Sequence, residues 1–312
     1  MTNSFTHSSE ALTIRHYEQS DIALLGELYN SVSSNENAVF WWVGDEDNWK
    51  NVYCAFENGK MIAKGQVSVI NIVPPGRSAD SRHSIFLNLK TSPEREQDYE
   101  LLEKVYQLLL ARAIELKATL SDEYITTLCV GNDASELANI QFFVKEKGFS
   151  PYNSLFRMNH TINEALPELT LNKDFTFSTW KMETPEEEDH YLDLEAEVWP
   201  DTPLGKERLL EFKQNPLWTT LVVREGEEIV GSLMVWQEQN HGYIENVFVR
   251  EPWRQLGIAK YMLVQALSYC KAHELEQVYL MVLTDNDSAL SLYESVGFYS
   301  KSEERRYRIE LP

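Results

Sequence analysis

A chain of 312 residues, 43% apolar and 25% charged, is long enough for two domains that each bury a core of their own. Its formal charge of −21 argues against nucleic acid or an anionic membrane as a partner, because phosphate binding needs clustered Lys and Arg. Cys54, Cys129 and Cys270 stand far apart with no CxxC pair, which disfavours a disulfide scaffold or a thiolate zinc site and leaves core packing.

Residues 1–11 carry no motif and read as a disordered tail, with neither the basic start nor the apolar core of a signal peptide. No window approaches a membrane-spanning run, so the expected location is the cytoplasm. The first domain is expected over 12–157. "LTIRHYEQSD" begins as a strand and "IALLGELYNSV" is a helix. "VYCAFENGKMIAKGQVSVINIV" is a hairpin turning at Asn58-Gly59, and "HSIFLNLK" is a further strand. A long helix ("DYELLEKVYQLLLARAIEL"), a buried strand ("YITTLCV") and a short helix ending at Gly148 complete it. The polar stretch 158–173, with Pro167, reads as a linker.

The second domain, 174–312, tells the same story more fully. A strand ("FTFSTWKM") precedes two helices ("PEEEDHYLDLEAEVW", "PLGKERLLEFKQN") and three strands in "WTTLVVREGEEIVGSLMVWQEQNHGYIENVFVR". Then come the long amphipathic helix "RQLGIAKYMLVQALSYCKAHEL", a buried strand "QVYLMVL", a short helix stopped by Gly297, and closing strands in "FYSKSEERRYRIEL". The fold class is α/β: two tandem copies of one fold, each a mixed, mostly antiparallel sheet flanked by helices.

The copies differ ahead of the long helix. The second reads Arg254-Gln255-Leu256-Gly257-Ile258-Ala259, where Gly257 and Ala259 carry little side chain. A helix start leaves N–H groups without partners at its positive end, so such a turn suits an anion. The first copy reads "TSPEREQDYE", with no glycine and four acidic side chains, which would repel one. It looks like structure without the site.

The six-residue turn, with Asn286-x-x-Ala289-x-x-Leu292-Tyr293-x-x-x-Gly297-Phe298 at the expected distance beyond it, resembles the GNAT superfamily of acyl-CoA N-acyltransferases. The resemblance covers most of 174–312, and 12–157 only in fold pattern. The doubled architecture is also similar to that of mycothiol synthases, which names no substrate. The resemblance to the GNAT superfamily implies acetyl-CoA as co-substrate, its pyrophosphate cradled by backbone donors from Gln255 to Ala259 with Arg254 beside it. Backbone groups of Val247, Phe248 and Val249 would pair with the pantetheine arm as an added strand. Asn286 either bonds that arm or caps the following helix.

Strand alternation places Tyr243, Glu245, Val247 and Val249 on one face and Ile244, Asn246, Phe248 and Arg250 on the other. Glu245 is a carboxylate in an apolar strand; the resemblance implies a general base for an ammonium, and the plainer alternative is a rim carboxylate bonded to its neighbours. Tyr293 stands where the family places the acid that protonates the leaving thiolate; otherwise it is an aromatic packed on the sheet. Trp199, Asp201 and Thr202 are expected at the acceptor wall. Asp189, Asp193, Glu195 and Glu197 either draw an amine or form a solvated helix face. "NAVFWWVGDEDNW" either contributes to the acceptor pocket or fills an interface. No HExxH-like spacing calls for a metal. The expected function is acetyl transfer to a primary amine of a small molecule by direct attack in a ternary complex, with an acyl-CoA-binding sensor or a protein N-acetyltransferase as the alternatives.

Overall fold

The computed structural model describes residues 11–34, 38–162, 166–200, 202–284 and 287–312. These pack as two units. The first holds the described residues up to Ser154 together with Glu304–Pro312, and the second is Leu155–Glu303.

The first unit contains β1 (Thr13–His16), α1 (Ile22–Val32), β2 (Val52–Glu57), β3 (Lys60–Asn71), β4 (Arg82–Thr91), α2 (Tyr99–Lys117), β5 (Ile125–Asp133) and α3 (Leu137–Gln141). Asn58 and Gly59 both take positive φ (51° and 72°), the geometry of a tight hairpin turn, and join β2 to β3. α2 buries Leu101, Leu102, Val105, Tyr106, Leu109 and Ala113, spaced three and four apart, against Leu87, Leu89, Leu128 and Val130 of the sheet. The strands run β1-β2-β3-β4-β5, antiparallel except for β4 beside β5. The sixth strand comes from the far end of the chain. Residues 304–310 pair antiparallel with β5, from Glu304↔Asp133 to Glu310↔Thr127.

The second unit takes the end of β6 (Ser150–Thr161), then β7 (Phe175–Trp180), α4 (Pro185–Val198), α5 (Lys206–Lys213), β8 (Thr219–Glu225), β9 (Glu228–Glu238), β10 (His241–Val249), α6 (Ile258–Ala272), β11 (Gln277–Thr284), α7 (Asp287–Glu294) and the start of β12 (Tyr299–Glu310). Its strands lie in the order β6-β11-β10-β9-β8-β7. α6 sets Met262, Leu263, Ala266, Leu267 and Cys270 onto one face, beside Leu233, Ile244 and Leu280. A methyl placed on Gly242 would come within 2.5 Å of Cys270 Sγ, so this close approach needs glycine. The other face packs Met234, Trp236 and Phe248 against Tyr191 and Leu194 of α4 and Leu209 of α5. α4 starts in a capping box between Thr184 and Glu187 with Pro185 at its first position.

Packing draws the boundaries differently from the composition. The expected linker 158–173 begins inside β6, where Met158 is wholly buried in the second core. The closing residues expected in the second domain are one strand, and its last part belongs to the first sheet. A strand's pairing partners are not written in its own residues, which is why composition alone misplaces both.

Candidate active site

β10 and β11 pair in parallel only over Gly242↔Val278, Tyr243↔Tyr279 and Ile244↔Leu280. Beyond that rung β10 runs on to Val249 and β11 to Thr284, with no further pairing between them among the described residues. The parting coincides with a bulge between Glu245 and Phe248 opposite β9. Asn246 sits there at φ 56° and donates from Nδ2 to the hydroxyl of the buried Tyr191 at 2.8 Å. Asn is among the few residues that tolerate this left-handed geometry.

The bulge corrects the expected alternation. Tyr243 and Phe248 pack with the α4 side, whereas Ile244, Val247 and Val249 pack with the α6 side. One extra residue in the strand reverses the faces after Glu245. The backbone of Val247, Phe248 and Val249 meets β9 on one edge through Phe248↔Ser232 and Val249↔Gly231. Its other edge borders the gap toward β11.

From β10 the chain turns through Arg254 and through Gln255 at φ 64°, and enters α6 behind Gly257 at φ 79°, ψ 3°. No side chain caps this helix, and the first amide to find a carbonyl within it is Tyr261 N–H, on Gly257 at 3.0 Å. The amides of Ile258, Ala259 and Lys260 therefore open the helix without intrahelical partners. A Cβ built on Gly257 would meet nothing within 4 Å, so the space ahead of these donors is open. Leu256 is exposed and Ile258 buried, which anchors the turn on one side only. Arg254 Nε donates to the Val249 carbonyl at 3.1 Å and so stays beside the turn. These residues suit a diphosphate.

Glu245 is half-buried and accepts a hydrogen bond from the Tyr243 hydroxyl at 2.7 Å. Burial, then the charge and hydrogen bond of Glu245, push the Tyr243 phenol well up. Tyr293 of α7 packs against the α6 core, its ring 6.2 Å from that of Phe298. Its phenol is pushed up to about 12 by burial and then by the negative charge of Glu245. The two expected catalytic side chains thus act on one another electrostatically. Asn286 lies outside the described residues, as does Asp201.

Trp199 ends α4 and packs edge-on to Phe248, ring centroids 5.7 Å apart, and the Thr202 N–H returns to the Trp199 carbonyl at 3.2 Å. The acidic run of α4 is not simply a solvated face. Glu195 is 2% exposed, and burial pushes its carboxyl up while the Leu204 N–H, at 3.0 Å, and the Asn246 amide draw it back. Asp189 pairs with Lys206 at 2.6 Å and Glu197 with Arg250 at 3.1 Å. "QVYLMVL" is likewise not buried on both sides. Met281 and Leu283 are exposed on the face of Tyr279, a feature that a continuous apolar run conceals.

The first unit fills the corresponding places with its own groups. β4 and β5 pair over six rungs, ending at Leu87↔Val130. One residue on stands Asn88, where Glu245 stands beyond Ile244↔Leu280. Asn88 bonds the Trp41 N–H (3.2 Å) and the Val39 carbonyl (2.8 Å), so this part of "NAVFWWVGDEDNW" packs on the first unit's own sheet. Lys90 pairs with Glu136 and donates to Asn132 at 3.0 Å, and Asn139 holds the Leu89 carbonyl at 2.8 Å. At the start of α2, Asp98 accepts the Leu101 N–H at 2.9 Å and pairs with Arg95 at 2.7 Å. Against the burial that raises it, these partners hold the Asp98 carboxyl low. That helix start already holds its anion.

Residues 177–298 match the family model described as the Acetyltransferase (GNAT) family. The matched residues lie within the second unit and take in its parted strands and the helix turn, so it is this unit that is similar to the family. The chain as a whole is similar in fold to a GCN5-related N-acetyltransferase from Sphaerobacter thermophilus, 19% identical over 96% of each chain with a TM-score of 0.72. It is also similar to a tandem GNAT protein from the clavulanic acid biosynthesis pathway, 12% identical over 97% of this chain and 99% of that one, TM-score 0.61. A glucosamine N-acetyltransferase region of a fungal multi-domain GH3 β-N-acetylglucosaminidase matches at TM-score 0.64 and 15% identity, over 96% of this chain and 38% of that one. In fold, the whole chain is thus similar to a tandem GNAT protein. Among the described residues, no helix is long and apolar enough to cross a membrane, and no group of His, Cys, Asp and Glu is placed to hold a metal ion.

Proposed function

We propose that the second unit transfers an acetyl group from acetyl-CoA to a primary amine of a small molecule, in a complex holding both substrates. One observation carries this reading: the uncapped amides at the start of α6 open onto the same unit in which β10 parts from β11. The acetyl-CoA thioester supplies the activated acyl group and the leaving thiolate. Backbone donors from Gln255 to Ala259, with Arg254 beside them, hold its diphosphate, and the gap-side edge of Val247 to Val249 takes the pantetheine amides.

Glu245 removes the proton from the acceptor ammonium, directly or through water, and Tyr243 orients its carboxylate. Tyr293 works best as a hydrogen-bond donor to the sulfur as charge develops there. Burial disfavours the phenolate, which makes full proton transfer to the leaving thiolate costly. Partial donation avoids that cost while still stabilising the developing charge.

The test is steady-state thiol release with Tyr293→Phe and Glu245→Gln. Tyr293→Phe should lower kcat by about 10- to 1000-fold with acetyl-CoA affinity kept. Glu245→Gln should lower kcat by about 100-fold or more, recovering in part as pH rises and free amine accumulates. Unchanged kcat in both variants would refute these roles.

A further inference from the structure

On the α4 side of the second unit, three neighbouring strands present a strip of groups of which the chemistry above uses only Tyr243 and Glu245. The Ile162 N–H, at the end of β6, bonds the Glu276 carbonyl just ahead of β11 at 2.8 Å, so β6 runs antiparallel to its neighbour β11. Met158, Leu280, Val282 and Ile244 face the α6 core. With a side-chain period of two, Arg157 and Asn159 of β6, Tyr279, Met281 and Leu283 of β11, and Tyr243 and Glu245 of β10 face the other way. The Tyr243 and Tyr279 rings lie 4.8 Å apart, and the Arg157 guanidinium carbon stands 4.4 Å from the Tyr279 centroid.

Arg157 is a cation with no carboxylate in ion-pair range among the described residues; its Nε donates only to Asn159 Oδ1, at 3.3 Å. Between it and Glu245 lie Met281, 39% exposed, and Leu283, 54% exposed. Where β10 still pairs with β11, the lanes of β6 and β10 are two strand spacings apart, about 10 Å, and the parting widens this at Glu245. An anion at one edge, a cation at the other and an open apolar floor between them define the complement of a particular molecule.

Resting on the acetyl-transfer reading, we propose that the acceptor is a primary amine bearing an anionic group on an apolar spacer, its ammonium at Glu245 and its anion at Arg157. Glu238, another carboxylate on this face, already accepts from the Tyr279 hydroxyl at the far end of β9. Arg157 is then the residue that sets specificity.

The experiment uses the whole chain and acetyl-CoA with ω-aminocarboxylates of four to eight carbons, n-alkylamines and α,ω-diamines of matched length. Thiol release should show kcat/KM for an aminocarboxylate at least about tenfold above that for the matched alkylamine. Arg157→Gln should bring that ratio toward one, and Arg157→Glu should move the preference to the diamine, a reversal that mere loss of packing would not produce. A wild type that prefers diamines, or shows no preference, overturns the proposal, as does an unchanged ratio in Arg157→Gln. Calorimetry separates the two levels. Tight acetyl-CoA binding without transfer to any of these amines overturns the acceptor class alone, whereas no acetyl-CoA binding overturns the reading beneath it.

Discussion

Lys64 of β3 is wholly buried, donating to the Trp41 carbonyl and to Gln66 Oε1 at 2.5 Å each, with no carboxylate beside it among the described residues. Burial pulls its ammonium down to about 7 from 10.5, Cys54 opposing and Lys90 reinforcing the shift. The folded value lies below the unfolded one, so between pH 7 and 10.5 the unfolded chain binds more protons and stability rises with pH. Above pH 9 the Cys54 thiol, pushed up to about 12, works in the opposite sense, so the clean window is pH 7 to 9. There Lys64 contributes up to about 1.4 kcal/mol per pH unit, and Lys64→Met should remove that slope. Urea unfolding at pH 7, 8 and 9 checks it; an unchanged slope would mean that the amine stays protonated in the fold. Nothing in "MIAKGQV" marks the lysine as buried. Only the packing of 39–41 over it reveals the burial.

At the scale of elements, the parting of β10 from β11 depends on a residue that accepts φ 56°. Asn246→Ala should destabilise the second unit by about 2–4 kcal/mol, combining left-handed strain with the hydrogen bond lost at Tyr191. Asn246→Gly should recover about 1 kcal/mol of this, since glycine takes the backbone geometry freely but still lacks the amide. Denaturant melts separate the two contributions, and equal losses would show that the backbone carries no strain. The helix turn was legible beforehand, because an arginine and two small residues ahead of an amphipathic helix have few physical reasons to occur together. The bulge was not: strict alternation assumes one residue per rung, and nothing in "YIENVFVR" announces the extra one. The Arg157 strip escaped for a related reason, since the solvent-facing half of an apolar strand looks like its buried half.

Across the whole molecule, the local periodicities made two copies of one fold readable, but the exchange of strands lay beyond them. Because 304–310 pair with β5 and Leu311 is buried in the first core, ending the chain at Glu303 should injure the first unit selectively. Hydrogen exchange should show protection lost at Thr127–Asp133 while β8 and β9 keep theirs; equal loss in both units would contradict this division. The central claim is that one of the two copies binds acyl-CoA, through the start of α6. Calorimetric titration of acetyl-CoA into the intact protein and a Gly257→Glu variant tests it most directly. A Cβ there meets nothing within 4 Å and the left-handed backbone costs only about 1–2 kcal/mol, so the variant should still fold. The account predicts one site per chain, weakened by about 100-fold or more when a carboxylate occupies the anion's place. Two sites, full affinity in the variant, or no binding to the wild type would contradict it.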